Sequence, residues 1–183
     1  MSRTALLAAA AALALVHAPA SAQEPALVTD LLRDVAQVES KLVGLAEAIP
    51  ESAYGWRPGE GVRSVSELFK HVAADNWLIG GATGTMPPAA TGIVPSDYAT
   101  AGTYEARNLS KAEVIEALKA SFDFFEGVVR DTSAEELTAT LDLFGSTATQ
   151  QRLWILAVTH LHEHLGQGIA YARMNGVVPP WSR

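Results

Sequence analysis

The chain has 183 residues, with 20 acidic and 13 basic side chains, a formal net charge of −7 and no cysteine. This length favours a single domain, and the acidic balance, without any basic stripe, argues against nucleic acid as a partner. The lack of cysteine excludes disulfides, thiolate metal sites and cysteine nucleophiles.

The N-terminal segment, residues 1–22, has the pattern of a secretory signal peptide. Arg3 precedes an apolar run from Ala5 to Val16, and Ala20-Ser21-Ala22 is a small-residue cleavage site. An uncleaved membrane anchor is the alternative, but the run is short for a span, which needs about 20 apolar residues. We therefore expect an exported protein, periplasmic or secreted, whose mature domain is residues 23–183 and which has no membrane association after cleavage.

Two amphipathic helices are predicted in the first half of the mature chain. Apolar residues recur at spacings of three and four from Pro25 to Ile49, which is typical of a helix with one buried face. A second helix begins at Ser64, where Ser64-Val65-Ser66-Glu67 has the spacing of a capping box, and it ends at Gly80-Gly81. The segment from Thr83 to Asn108 is rich in Gly, Pro, Thr and Ala, so we expect a long loop without regular structure, of the kind that covers binding sites.

Two more helices are predicted in the second half. Ser110-Lys111-Ala112-Glu113 is another capping box, and an apolar stripe follows it. One extra turn is expected over Ser133–Leu137. Asp142–Thr149 is expected to be a connection, since the chain has no alternating strand pattern of useful length. The last helix spans Gln150 to Asn175. The predicted fold is therefore all-α: a four-helix bundle with long connections that is not simply up-down-up-down.

The histidines of this bundle are the main functional signal. Three of them lie in the last helix, in His160-Leu161-His162-Glu163-His164. His160 and His164 are four residues apart, so they share the helix face that continues the apolar stripe toward the core, whereas His162 points elsewhere. His71 shares a face of the second helix with Leu68 and Leu78, so it also faces the core.

Inward-facing histidines have two interpretations. A lone one is more often a satisfied core residue than a metal ligand, and this applies to His71 taken alone. Two imidazoles at i and i+4 are a standard way to present nitrogen ligands to Zn, Ni, Fe or Cu. The HExxH spelling is absent, because Leu161 follows His160, so a zincin-type protease is not supported.

The C-terminal region resembles a known family. His160-Leu-His-Glu-His164-Leu-Gly166-Gln167, then Tyr171-Ala-Arg173 and Gly176-Val-Val-Pro179-Pro180, is similar to the last helix of the DinB-like (DinB/YfiT) superfamily of metalloenzymes. Trp56-Arg57-Pro58 and Ser66-Glu-Leu-Phe-Lys-His71 resemble its loop and second helix. The resemblance implies a four-helix bundle that binds one divalent metal ion through His71, His160 and His164, with Zn favoured over Ni, Fe or Mn. His162 matches no ligand position.

The resemblance also implies an activity. Family members whose activity is known are thiol-dependent transferases or isomerases. From the resemblance we expect a metal-dependent enzyme of transferase or hydrolase type that acts on a small molecule. Its catalytic residues are not identified. The predicted signal peptide sets this chain apart from members that use cytosolic thiols. Two alternatives stay open: a non-catalytic periplasmic bundle that binds metal or a small ligand, and a structural bundle without metal.

Three polar residues are candidates to orient the metal-binding imidazoles. Gln167 lies three residues after His164, and helix packing is its alternative role. Glu67 and Asp75 flank His71 at i−4 and i+4, where a solvated helix face is the alternative. A second apolar face of the last helix favours a homodimer, although burial within a monomer explains it too. That face contains Ile155, Val158, His162, Leu165 and Ile169.

Overall fold

The computed structural model describes residues 25–143 and 145–182, and four long helices form its frame. They are α1 (Ala26–Ala48), α2 (Val65–Gly81), α4 (Lys111–Arg130) and α6 (Gln150–Met174). The connections contain α3 (Ala99–Glu105), α5 (Ala134–Thr138) and a hairpin of β1 (Thr140–Leu143) and β2 (Ser146–Thr149). Short 3₁₀ turns lie at Glu51–Ala53, Ala89–Thr91 and Pro180–Ser182. The predicted signal peptide lies outside the described residues and stays a prediction.

Serine caps determine where three of the helices begin. Ser64, Ser110 and Ser133 each accept a hydrogen bond from the backbone N–H of the glutamate three residues later, and that glutamate accepts one from the serine backbone. Each box satisfies two backbone donors that the first helical turn leaves free, and each serine cap stabilises its helix by about 1 kcal/mol. The predicted starts at Ser64 and Ser110 are confirmed.

The four long helices pack in an order that differs from their order in the chain. Both α1 and α2 pack against α4 and against α6. The first two long helices therefore occupy opposite corners of the bundle, which confirms the predicted departure from up-down-up-down packing. Large apolar side chains fill the core between them, among them Trp154, Phe69, Phe122, Phe125, Leu42 and Leu45.

Two predictions about the connections are wrong. The segment from Thr83 to Asn108 contains α3, which begins without a side-chain cap. Ala101 and Tyr104 are buried against α2, and this packing stabilises the short helix. The segment from Asp142 to Thr149 lies in the hairpin, in which Thr140 pairs with Thr149 and Leu143 with Ser146. Strands of four residues are too short for an alternating pattern to stand out.

Helix α2 is the most deeply buried element, because α3 covers it in addition to its bundle neighbours. All its residues except Ser66 and Glu67 are buried, and they include four polar ones: Lys70, His71, Asp75 and Asn76. Buried polar groups require partners. Lys70 donates to the Arg107 carbonyl and Asn76 to Ser121, whereas His71 and Asp75 belong to a larger cluster. Among the helices that the structure describes, none is long and apolar enough to cross a membrane.

Candidate metal centre

The structure brings His71, His160 and His164 together between α2 and α6. One ring nitrogen from each lies within 4.8 Å of one from each of the others. The Nε2 atoms of His160 and His164 are 3.1 Å apart, as expected for imidazoles one helical turn apart on a single face. The ring of His71, from the neighbouring helix, lies 4.6 Å from that of His164 between centroids.

Two of the three imidazoles have an acceptor close to Nδ1 on the outer side of the cluster, and the third has a more distant carboxylate there. Nδ1 of His164 donates to Gln167 Oε1 at 3.0 Å, and Nδ1 of His71 faces Glu105 Oε2 at 3.3 Å. Nδ1 of His160 lies 3.7 Å from Glu163 Oε2. A proton held on Nδ1 leaves the Nε2 lone pair available, and metal-binding histidines are oriented in this way.

Asp75 lies at the centre of the cluster. Its Oδ2 is 2.8 Å from Nε2 of His160 and 3.3 Å from Nε2 of His71. Its Oδ1 is buried and has no hydrogen-bond partner among the described residues. A buried carboxylate oxygen without a partner is costly, so Oδ1 is an atom that a ligand at this cluster would stabilise. Asp75 is 3% exposed and contacts both His71 and His160, so it does not lie on a solvated helix face.

The two histidines of α6 differ electrostatically. The hydrogen bond to Asp75 outweighs burial and raises the pKa of His160 above its ordinary value. Burial lowers the pKa of His164 to about 4, and the neighbouring histidines add to the effect. Imidazoles must be neutral to bind metal, which favours His164, whereas at His160 a metal ion would compete with Asp75 for Nε2.

Glu105 is a site residue that the sequence did not reveal. It lies at the end of α3, where it accepts from His71 Nδ1 and, through Oε1, from Arg63 Nε at 2.6 Å. Burial would raise the pKa of Glu105, but the hydrogen bonds from His71 and Arg63 and the charge of Arg63 outweigh it and lower the pKa to about 2. The carboxylate is therefore charged at any physiological pH. The segment containing α3 thus contributes directly to the histidine cluster.

Gln167 connects the cluster to the loop before α2. Its Nε2 donates to the Tyr171 hydroxyl at 2.8 Å, and that hydroxyl donates to the Arg63 carbonyl at 3.0 Å. Because both ends of the Gln167 amide are engaged, its oxygen is directed at His164. Gln167 therefore contacts His164 directly, and its role in orienting a metal ligand stays a prediction.

Two other residues of the sequence motif lie away from the cluster. The Glu67 carboxylate accepts from the Ser64 backbone and pairs with Arg57. No hydrogen bond or ion pair joins Glu67 to a histidine in the described chain, so its candidate orienting role is not supported. His162 is exposed, and its Nδ1 lies 2.8 Å from the Val158 carbonyl, which agrees with its exclusion from the predicted ligand set.

The donor set fits a divalent metal ion. Tetrahedral ligands at about 2.1 Å from an ion stand roughly 3.4 Å apart, and the two Nε2 atoms of α6 are 3.1 Å apart already. Three imidazoles suit Zn, Ni or Fe, and three protein ligands leave a position open for water or substrate. The buried Oδ1 of Asp75 is the kind of unsatisfied atom that a ligand at that position would engage.

A family model for the DinB superfamily matches residues 34–167. The match covers more than half of the chain and includes all three clustered histidines. The chain belongs to the DinB superfamily. No curated protein sequence matches it.

Solved structures share the DinB fold at low sequence identity. A DinB-like protein from Bacillus cereus is 14% identical, with a TM-score of 0.68 over 83% of this chain and 95% of that one. A DinB-like protein from Bacillus subtilis is 20% identical, with a TM-score of 0.63 over 81% and 93%. YfiT from Bacillus subtilis, described as a probable metal-dependent hydrolase with an unusual four-helix bundle topology, is 14% identical, with a TM-score of 0.65 over 88% and 95%. These likenesses establish the fold alone.

Proposed function

We propose that this DinB superfamily protein is an exported, metal-dependent hydrolase of a small molecule that holds one divalent ion, zinc by preference, through His71, His160 and His164. The observation that carries the proposal is the convergence of the three imidazoles. One ring nitrogen of each lies within 4.8 Å of one from each of the others. Nδ1 of His164 and Nδ1 of His71 each face an outer oxygen, Gln167 Oε1 and Glu105 Oε2, as histidines that bind a metal ion do.

Asp75 is the residue best placed to move a proton. A divalent ion supplies Lewis-acid activation of a polar substrate group or of water. The chain itself supplies the acceptor: Oδ2 of Asp75 lies 2.8 Å from Nε2 of His160, the atom that would hold the ion, and Oδ1 has no hydrogen-bond partner among the described residues. Oδ1 would take the proton of a water molecule that attacks the substrate, in the role of a general base.

Hydrolysis suits this chain better than transfer of a thiol. The signal peptide predicted at residues 1–22 would carry the protein away from cytosolic thiols. The description of YfiT as a probable metal-dependent hydrolase supports the same choice on the same fold. The negative net charge of −7 favours small uncharged or cationic partners over nucleic acid. The predicted homodimer stays part of this proposal.

Elemental analysis of protein purified without a histidine tag tests the metal site. We expect about one equivalent of zinc after reconstitution and dialysis, and near-complete loss in His160→Ala. His162→Ala is the matched control: it removes an exposed imidazole from the same helix and should keep full occupancy.

Two results would contradict the proposal in different ways. Absence of stoichiometric zinc, nickel or iron from the reconstituted protein would contradict the metal site and support a structural bundle with core histidines. Full zinc occupancy with no turnover of ester, amide or phosphoester substrates, with or without added thiols, would leave a metal-binding bundle without catalysis.

A further inference from the structure

A cavity of about 620 Å³ opens at the C-terminal end of α2, beyond the histidine cluster. It lies between the C-terminal end of α2, the segment before α3, strand β1 and the first turn of α6. Its walls are mainly apolar, with Leu78, Met86, Val94, Leu141, Leu143 and Leu153 among them. Small-molecule sites are typically concave, mostly apolar and between about 300 and 1,000 Å³, so this cavity has the size and the lining of one.

Exposed apolar side chains gather at the rim of this cavity. Three of the eight large hydrophobic residues that are exposed in the described part of the chain line it: Met86, Val94 and Tyr98. Met86 is 68% exposed, which is unfavourable for a side chain that has no ligand to contact. Exposed apolar surface concentrated around a concavity marks a binding site more often than scattered single residues do.

The cavity lies along the same helix pair as the histidines. Leu78 follows His71 by seven residues on α2, and Leu153 precedes His160 by seven on α6, so all four lie on the facing sides of these helices. Seven residues correspond to about 10 Å of helix. Tyr98 lies on the cavity wall. Burial raises its pKa, and the negative charge of Asp75 raises it further, so Tyr98 lies near the cluster.

Charge on the cavity wall is sparse. Asp142 is the one charged residue among the described lining residues, and its Oδ1 already accepts from the Gly145 backbone. No cationic side chain is available there to bind a carboxylate or a phosphate. The part of a ligand that fills this cavity is therefore apolar and uncharged.

We propose that the cavity binds an uncharged alkyl chain or aromatic ring of the substrate, whose polar reacting group lies at the three histidines. This assignment rests on the proposed function, because the histidine cluster supplies the other half of the site.

A series of n-alkyl hydroxamates, from acetohydroxamate to decanohydroxamate, tests the assignment. The hydroxamate head binds zinc, and the chain length measures what the rest of the site accepts. We expect affinity for the zinc-loaded protein, measured by titration calorimetry, to rise about three- to fourfold for each methylene that enters the cavity, over several successive members. The gain should level off once the cavity is filled.

A pair of valine variants localises the effect. Val94→Glu places a charge at the cavity rim, and Val178→Glu places one at a similarly exposed valine outside it; the two valines are 43% and 51% exposed. We expect Val94→Glu to weaken octanohydroxamate at least tenfold and to leave acetohydroxamate unchanged. Val178→Glu should change neither affinity.

The possible failures are distinguishable. Tight acetohydroxamate binding without any dependence on chain length would overturn the cavity assignment and leave the proposed function intact. A protein that binds neither zinc nor acetohydroxamate would overturn the proposed function and this inference with it. If octanohydroxamate affinity fell as protein concentration rose, together with dimer formation in sedimentation, a second copy of the chain would be the occupant and the inference would be wrong.

Discussion

Carboxylates from two different elements hold His71. Asp75, one turn along α2, faces its Nε2, and Glu105 of α3 faces its Nδ1. Glu105 is in turn fixed by Arg63 at 2.6 Å. The contact with Glu105 favours a proton on Nδ1 and fixes the ring, so that Nε2 faces Asp75 and the other histidines.

Replacement of Glu105 should therefore weaken metal binding without unfolding the protein. We expect Glu105→Ala to lower zinc affinity by about 10- to 100-fold, the usual cost of losing a group that orients a ligand. Competition with a chromophoric chelator measures this. Glu105→Gln should lose less, because its amide oxygen still accepts from Nδ1 of His71.

Glu163→Ala is the matched control for this experiment. Glu163 also faces the Nδ1 atom of a clustered histidine, but at 3.7 Å and with a side chain that is 77% exposed. Exposed pairs contribute little, so its zinc affinity should stay near that of the unaltered protein. Equal losses of zinc affinity in Glu105→Ala and Glu163→Ala would show that Glu105 has no specific orienting role.

At the scale of elements, the end of α2 fits closely against the segment that follows it. A Cβ atom added at Gly81 would lie 2.4 Å from Cγ of Pro95 and 3.2 Å from Cδ of Pro87. Both rings are rigid and cannot turn away as the tip of a long side chain would. Gly81→Ala should therefore lower the free energy of unfolding by about 1–3 kcal/mol, as overpacking does. Urea denaturation measures the change.

Gly127 provides the opposite case within α4. No heavy atom lies within 4 Å of a Cβ added there, and glycine inside a helix costs about 0.5–1 kcal/mol relative to alanine. Gly127→Ala should therefore raise the free energy of unfolding by that amount. If Gly81→Ala and Gly127→Ala changed the free energy of unfolding in the same direction, overpacking against the two prolines would not explain the effect of Gly81→Ala.

Local patterns predicted the long helices and the pair of histidines on α6 for the same reason. A capping box such as Ser110 to Glu113 acts within four residues, and i, i+4 spacing brings His160 next to His164 in any helix. The environment of Glu105 depends instead on how the connection folds back onto α2. Its helix, α3, has seven residues and begins without a side-chain cap, so no local signal marks it.

His71 lies between these two cases. Its face on α2 was predictable from the apolar stripe, but its partner helix was not, since α1 and α2 both contact α6. The family resemblance, and not the spacing, assigned the third ligand. The cavity was also unpredictable, because its walls combine the region from Leu78 to Tyr98 with residues of β1 and α6 that lie far from it in the chain.

At the scale of the whole molecule, the second apolar face of α6 is only partly used within the monomer. Val158 and Leu165 are buried in the core, whereas Ile155 is 38% exposed and His162 is exposed. Contacts of α6 with α1, α2, α5 and the hairpin account for the buried part. The homodimer predicted from this face stays a prediction, and sedimentation of the protein tests it.

On the proposed function, zinc should stabilise the whole bundle, because the proposed ligands come from two helices that only the folded chain brings together. Binding to the folded state alone contributes about 2.7 kcal/mol at a free zinc concentration 100 times Kd. In a chain of this size that corresponds to a rise in Tm of roughly 5–10 °C. Calorimetric melting of chelator-treated protein, with and without zinc, measures the rise. His162→Ala should keep it and His160→Ala should lose most of it. A shift of equal size in both variants would place the stabilising zinc away from the three histidines, since only His160 belongs to their cluster.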